Sequence, residues 1–150
     1  VATLLETALS FFERDGWPIW PLEDQTAFST RYAGENGRFN CLARVREEQS
    51  QFLFYSTCPV NVPEDKRAAM AEFITRANYG LILGNFEMDY RDGEVRFKTS
   101  IDVEGGELTD GMLRNLTYAN VLTMDRYLPG MMTLLYGDAT PEEAIAKVEG

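Results

Sequence analysis

The sequence predicts an α+β fold of two layers: a five-stranded antiparallel sheet, in the order α-β3-α-β2-α-α, with helices on one face. Three observations carry this. Alternating apolar and polar runs flank Asp92-Gly93 and Asn36-Gly37, dipeptides that favour tight two-residue hairpins. Segments with helical spacing of apolar residues stand apart from those runs instead of separating single strands. Strands joined by hairpins and segregated from helices give an antiparallel sheet with one buried face. A chain of 150 residues is expected to form one domain, 1–150.

The elements follow in order. Residues 2–14 read as a helix, with Leu5, Ala8, Leu9 and Phe12 along one side and Asp15-Gly16 as its stop. The prolines of Trp17-Pro18-Ile19-Trp20-Pro21 enforce extended backbone, and the two tryptophans need somewhere to bury. A two-residue turn at Asn36-Gly37 sets Phe28 opposite Val45, Thr30 opposite Ala43 and Tyr32 opposite Cys41. A turn centred on Glu48-Gln49 sets Val45 opposite Phe52, Ala43 opposite Phe54 and Cys41 opposite Ser56. Both registers put Cys41, Ala43 and Val45 on one apolar face, which argues for a three-stranded meander.

Pro63 suits a first helical position, Glu64 and Asp65 complement the positive end, and Gly80 stops the helix. Its apolar side is Ala69, Met70, Phe73, Ile74 and Ala77. Folding 82–103 at Asp92-Gly93 pairs Arg91 with Glu94, Asp89 with Arg96 and Glu87 with Lys98 on one face. The other face pairs Tyr90 with Val95, Met88 with Phe97 and Ile82 with Val103. Thr109 caps a helix running from Asp110 to at least Leu128, and Pro129-Gly130 is expected to kink or end it. Thr140-Pro141-Glu142-Glu143 is a capping box with proline in the first turn, opening a helix over 141–149.

The formal charge of −10 is uneven. Residues 1–24 carry five acids and one base, residues 102–150 nine acids and three bases, and residues 25–101 ten of each. That field repels nucleic acid and anionic lipid, so neither is an expected partner. No apolar run approaches the roughly 20 residues of a membrane helix, and no stretch reads as a signal peptide, so cytoplasmic action is expected. The first residue is Val rather than Met, and a trimmed or truncated N-terminus is expected.

Histidine is absent. Ser-His-Asp and Cys-His catalysis and His-containing metal sites go with it. Cys41 and Cys58 read as buried reduced thiols, and the acids Asp102, Glu104, Glu107 and Asp110 as a solvated loop, since their spacing does not meet the EF-hand pattern. No catalytic residue, cofactor or metal ligand is expected, and the chain reads as a non-enzyme. A carboxylate-based enzyme ranks below both binding readings.

Two surfaces could take a partner. In the helix over 112–128, apolar residues spread across an arc of roughly 200°, about twice what one sheet covers. Either the N-terminal or final helix covers the excess, or a second copy or partner does. The second alternative places Leu116, Met124, Leu128 and Met131 near a helix-borne interface. The outer sheet face is the other surface, where Arg31, Leu42, Arg44, Arg46, Leu53 and Tyr55 join the charge ladder. Arg44 and Tyr55 are its candidate contacts. A small-ligand pocket lined by Trp17, Trp20 and Phe28 is the alternative.

Across nearly its whole length the chain resembles the YbjN-type family of bacterial sensory transduction regulators. The resemblance rests on Asp15-Gly16-Trp17, Phe52-Leu53-Phe54-Tyr55, Asn78-Tyr79-Gly80 and Gly84-Asn85-Phe86-Glu87-Met88-Asp89. It also rests on Leu135-Tyr136-Gly137, followed by Pro141-Glu142-Glu143-Ala144-Ile145. It implies a fold like that of type III secretion chaperones, usually acidic and dimeric, and supplies no catalytic residues. The combined expectation is a regulator or chaperone-like protein that forms a homodimer and binds an unidentified protein partner.

Overall fold

The structure, a computed structural model, describes residues 1–24 and 26–150. Helix α1 (Leu4–Arg14) starts where the Thr3 hydroxyl accepts the Glu6 amide and the Glu6 carboxylate accepts the Thr3 amide. The Glu47 carboxylate accepts the Leu4 and Leu5 amides, each at 3.0 Å, filling donors that a helix start leaves open. The remaining elements are β1 (Trp20–Pro21), β2 (Ala27–Ala33), β3 (Arg38–Arg46), β4 (Gln51–Thr57), α2 (Arg67–Asn78), β5 (Asn85–Asp89), β6 (Glu94–Asp102), α3 (Asp110–Tyr136) and α4 (Pro141–Glu149). A short 3-10 turn, Glu64–Lys66, leads into α2.

Among the described residues the sheet has six strands in the order β1-β2-β3-β4-β6-β5, every neighbour antiparallel. The expected five become six because Trp20 pairs with Ser29 and Pro21 with Phe28. Proline cannot donate to a ladder, so this strand is confined to the edge.

The β3–β4 register is the expected one, with Val45 opposite Phe52, Ala43 opposite Phe54 and Cys41 opposite Ser56. The other two hairpins are each displaced by two residues. Phe28 lies opposite Ala43, Thr30 opposite Cys41 and Tyr32 opposite Phe39. The turn centres on Glu35-Asn36, closed by the Gly34 amide on the Gly37 carbonyl at 2.8 Å. Neither Asn36 nor Gly37 adopts the positive φ that a type I′ turn requires.

In the second hairpin Glu87 faces Arg96, Met88 faces Val95, and Asp89 faces Glu94 instead of Arg96. Gly93, at φ 78°, closes a four-residue loop by donating to the Asp89 carbonyl (2.7 Å), and its own carbonyl accepts the Val62 amide (2.8 Å). Tyr90 and Ile82 therefore leave the apolar face. Both are exposed, and Ile82 precedes the strand. A shift of two residues keeps every other side chain on its expected face.

The helices cover one face. Helix α3 lies over β4 and β6, α2 beside β5, α1 near β3, and α4 against α2 and α3. Inward residues such as Phe28, Phe52, Phe54 and Phe97 meet Phe12, Met70, Phe73 and Leu113 in one core. Asn120 of α3 is fully buried there. Its amide nitrogen donates to the Phe54 and Phe97 carbonyls at 2.8 and 3.0 Å, and its oxygen accepts the Ser56 hydroxyl at 2.5 Å. Every hydrogen-bonding atom of that side chain is thereby matched.

Pro129 does not end α3, which continues to Tyr136. The carbonyl left without its helical partner, that of Asp125, is filled from the β2–β3 turn by the Asn36 side chain. Gly130 then allows close approach to the Phe73 ring and to α4. At the β5 edge the Asn78 side chain accepts the Phe86 amide (2.7 Å) and donates to the Phe86 carbonyl (3.0 Å).

Candidate functional site

Strand alternation determines the sheet face turned away from the helices. The cross-strand pairs there are Ser29–Leu42, Leu42–Tyr55, Tyr55–Lys98, Arg44–Leu53 and Arg31–Asn40, with Trp20 beside Ser29. Strands β2, β3 and β4 contribute Arg31, Arg38, Arg44 and Arg46 and no acid at all. In a chain with 24 acids and 14 bases, this is a local inversion of sign.

Neighbours neutralise only part of that charge. Arg96 pairs with Glu87 at 2.5 Å and lies over the Tyr55 ring at 4.1 Å, while Lys98 reaches Glu87 at 3.3 Å. Arg46 donates to Gln51, which donates to Asp102. That bond from Gln51, with the Glu104 amide, holds the Asp102 carboxyl below its ordinary range. Arg44 donates to the Thr26 hydroxyl (2.8 Å) and stands 3.5 Å from Asp24. At the ladder's end the Arg91 guanidinium, then its amide, pull Asp89 down to about 2. Among the described residues Arg31 and Arg38 have no ion pair, and Arg31 instead lies 5.1 Å over Trp20.

Arg44 and Tyr55 therefore stand on this face, half-buried, as expected. Leu116, Met124, Leu128 and Met131 do not stand on a surface. Exposed by 7, 0, 2 and 0% respectively, they are core residues on the other side of the sheet. The wide apolar arc of α3 is covered within the chain, by the sheet and by the neighbouring helices α1, α2 and α4. What α3 turns outward is Leu122 and Tyr136. Tyr79, Ile82 and Leu83, between α2 and β5, are exposed too. A sequence pattern that places Ile82 in a strand conceals the exposure of this loop, since β5 begins only at Asn85.

Trp17, Trp20 and Phe28 form no pocket. Trp17 stacks on Tyr32 at 5.7 Å beside the core, Phe28 is buried within it, and Trp20 lies on the open face. Cys41 and Cys58 are free and buried, and burial pushes the Cys41 thiol up to about 12, leaving it unreactive. Asp110 is held below its usual range by a bidentate bond from Arg14. Among the described residues no three His, Cys, Asp or Glu side chains are grouped to hold a metal ion. Among the described residues no helix is long and apolar enough to cross a membrane. A concavity of about 440 Å³ at the open face is lined in part by Arg31, Arg38, Asn40 and Asn61, with Phe39 and Pro59 beside them. Guanidinium groups, amides and half-covered Leu and Tyr side chains make up this face.

Comparison with known proteins agrees with this architecture. The model of the YbjN family, described as "putative bacterial sensory transduction regulator", matches residues 5–132. Among solved structures, that of "YbjN, a putative transcription regulator from E. coli" gives a TM-score of 0.60 at 11% identity. It covers 89% of this chain and 93% of that one, a likeness of fold alone. The structure of the ExsC-ExsE complex gives a TM-score of 0.49 at 12% identity, covering 90% of this chain and 96% of the matched one. No curated protein matches the sequence significantly.

Proposed function

The chain belongs to the YbjN family, and from that premise we propose that it is a non-enzymatic, chaperone-like regulator that binds a polypeptide partner. The single observation behind this reading is the open sheet face, where Leu42, Leu53 and Tyr55 lie half-buried among arginines on the side turned away from the helices. Aromatic residues and arginine are enriched at interfaces, and a sheet face left uncovered is a surface for one. The proposal includes action in the bacterial cytoplasm as one domain spanning 1–150, and a homodimeric state. The deeply buried thiols and the guanidinium-paired carboxylates Asp89 and Asp110 offer no activated nucleophile or raised-pKa acid, which supports binding over catalysis.

A photo-crosslinking amino acid at Tyr55 in living cells tests the reading, with the same group at Glu142 on α4 as control. Polypeptide adducts from position 55 and none from position 142 are expected. Equal adducts from both positions, or none from either, overturn it. Sedimentation at roughly tens of micromolar tests dimerisation, a range matched to modest affinities; a strict monomer there removes that part.

A further inference from the structure

We propose that the occupant of the open sheet face is an acidic polypeptide segment, seated on Arg31 and Arg38 with its apolar side chains over Leu42, Leu53 and Tyr55. This rests on the reading of that face as a polypeptide-binding surface and adds the chemistry of the partner.

Charge complementarity carries the inference. Elsewhere the chain is acidic, yet β2, β3 and β4 bear four arginines and no carboxylate. Arg96, Lys98 and Arg44 have acids within 4 Å, whereas Arg31 and Arg38 have none among the described residues. Those two lie diagonally across β2 and β3, since Arg31 faces Asn40 and Arg38 faces Ala33. Diagonal neighbours on one face are roughly 7–8 Å apart, so carboxylates two residues apart on an extended strand match them. Arg31 and Arg38 also share one concavity with Asn40, whose amide adds a donor and an acceptor.

The apolar part lies alongside. Leu42, Leu53 and Tyr55 occupy adjacent positions of β3 and β4, half-buried by their neighbours. A segment whose every second residue faces the sheet, acids first and leucines after, can therefore set its carboxylates against the guanidinium groups and its leucines against this strip. Nucleic acid fits less well. Two guanidinium groups of this face without an ion pair or side-chain hydrogen bond among the described residues, on a chain of charge −10, do not make the basic stripe that phosphate backbones require.

Fluorescence anisotropy of labelled peptides of about ten residues, long enough at ~3.3 Å per residue to cross the sheet, gives the test. The probes carry, at every second position, two glutamates, glutamines or lysines followed by leucines, with serine between. The glutamate peptide is expected to bind at least about tenfold tighter than the glutamine peptide, and to weaken about tenfold between about 50 and 500 mM NaCl. Arg31→Gln with Arg38→Gln is expected to abolish that preference. Lys147→Gln, an exposed change on α4, is expected to leave it. Quenching of Trp20, under the Arg31 guanidinium, reports occupancy without a label and should disappear in Trp20→Phe.

Equal binding of the glutamate and glutamine peptides overturns the acidic partner while leaving the polypeptide reading in place. Tightest binding of the lysine peptide, or displacement by a single-stranded oligonucleotide, overturns it as well. So does salt-sensitive self-association that the double substitution abolishes, since a second copy is then the occupant. Failure of all three peptides, together with no crosslinks from position 55, removes both readings.

Discussion

The side-chain amide of Asn36 donates to the main-chain carbonyl of Asp125 at 2.9 Å, the position that Pro129 leaves without its helical partner. The Asp125 carboxylate answers from the same residue, accepting the Glu35 and Asn36 amides at 3.1 and 2.9 Å. A turn and a helix 89 residues apart are joined by three hydrogen bonds whose donors and acceptors match. The proline therefore costs α3 less than an isolated helix would suffer, and the turn acquires a centre its own residues do not prescribe.

The two sites should be energetically coupled. Asn36→Ala is expected to lower stability by about 1–2 kcal/mol, because it strands a part-buried carbonyl. In a Pro129→Ala background the restored helix N–H reaches that carbonyl, and the same substitution should cost measurably less. A double-mutant cycle by urea denaturation reads the difference; equal costs in both backgrounds would refute the compensation.

Gly130 makes a second, opposite demand on α3. A Cβ there would lie 2.9 Å from the Phe73 ring and 3.0 Å from the Ala144 carbonyl. Alanine is the better helix former, by about 1 kcal/mol, yet Gly130→Ala should destabilise by about 1–3 kcal/mol. Phe73→Leu in the same chain should recover part of that loss. Calorimetric Tm values for the single and double variants decide it.

Met124 and Leu53 should separate folding from binding. Met124 is completely buried, so Met124→Ala should cost about 2–5 kcal/mol. Leu53 is half-covered on the open face, and Leu53→Ala should change stability by under about 1 kcal/mol. Binding of the glutamate peptide should show the reverse pattern: weakened by Leu53→Ala and unchanged in whatever Met124→Ala protein remains folded.

Acid should loosen the β5–β6 end of the sheet. Folding lowers the Asp89 carboxyl from its ordinary 3.8 to about 2, through the Arg91 guanidinium and amide. A depressed folded value favours the native state above the unfolded pKa, and the contribution is lost as pH falls toward 2. Asp102 and Asp110 are lowered in the same direction, by Gln51 and Arg14. The urea midpoint should therefore hold steady above about pH 5 and decline between about 4 and 2. Arg91→Gln should flatten part of that decline, and identical acid profiles for the two proteins would count against it.

Much of this was legible in the residues. Thr140 and Glu143 form the capping box read from their spacing, and Thr109 caps α3 by accepting the Met112 amide. Face assignments survived because both displaced hairpins slipped by two, the period of a strand. The displacements came from afar: Asp125 takes the first turn, and Val62 anchors Gly93 in the second. Leu116, Met124, Leu128 and Met131 had the composition of an interface because an interface and a core are apolar alike. Only the placement of the sheet and of α1, α2 and α4 tells the two apart. Arg44 and Tyr55 were found on the open face because alternation alone decides that question. The unpaired state of Arg31 and Arg38 was not legible, since it depends on which acids the fold brings near.

The Asn78 amide at the β5 edge has a consequence for the life of the chain in a crowded cell. An unpaired strand edge is a template on which further chains can add, and runaway sheet growth begins there. Asn78 has already given Phe86 one donor and one acceptor, so a single side chain stands in for a seventh strand. At the far edge Pro21 withholds an N–H and the strand stops after two residues. Each margin of the sheet thus carries an obstacle to recruitment, and the broad face between them lies free of the helices.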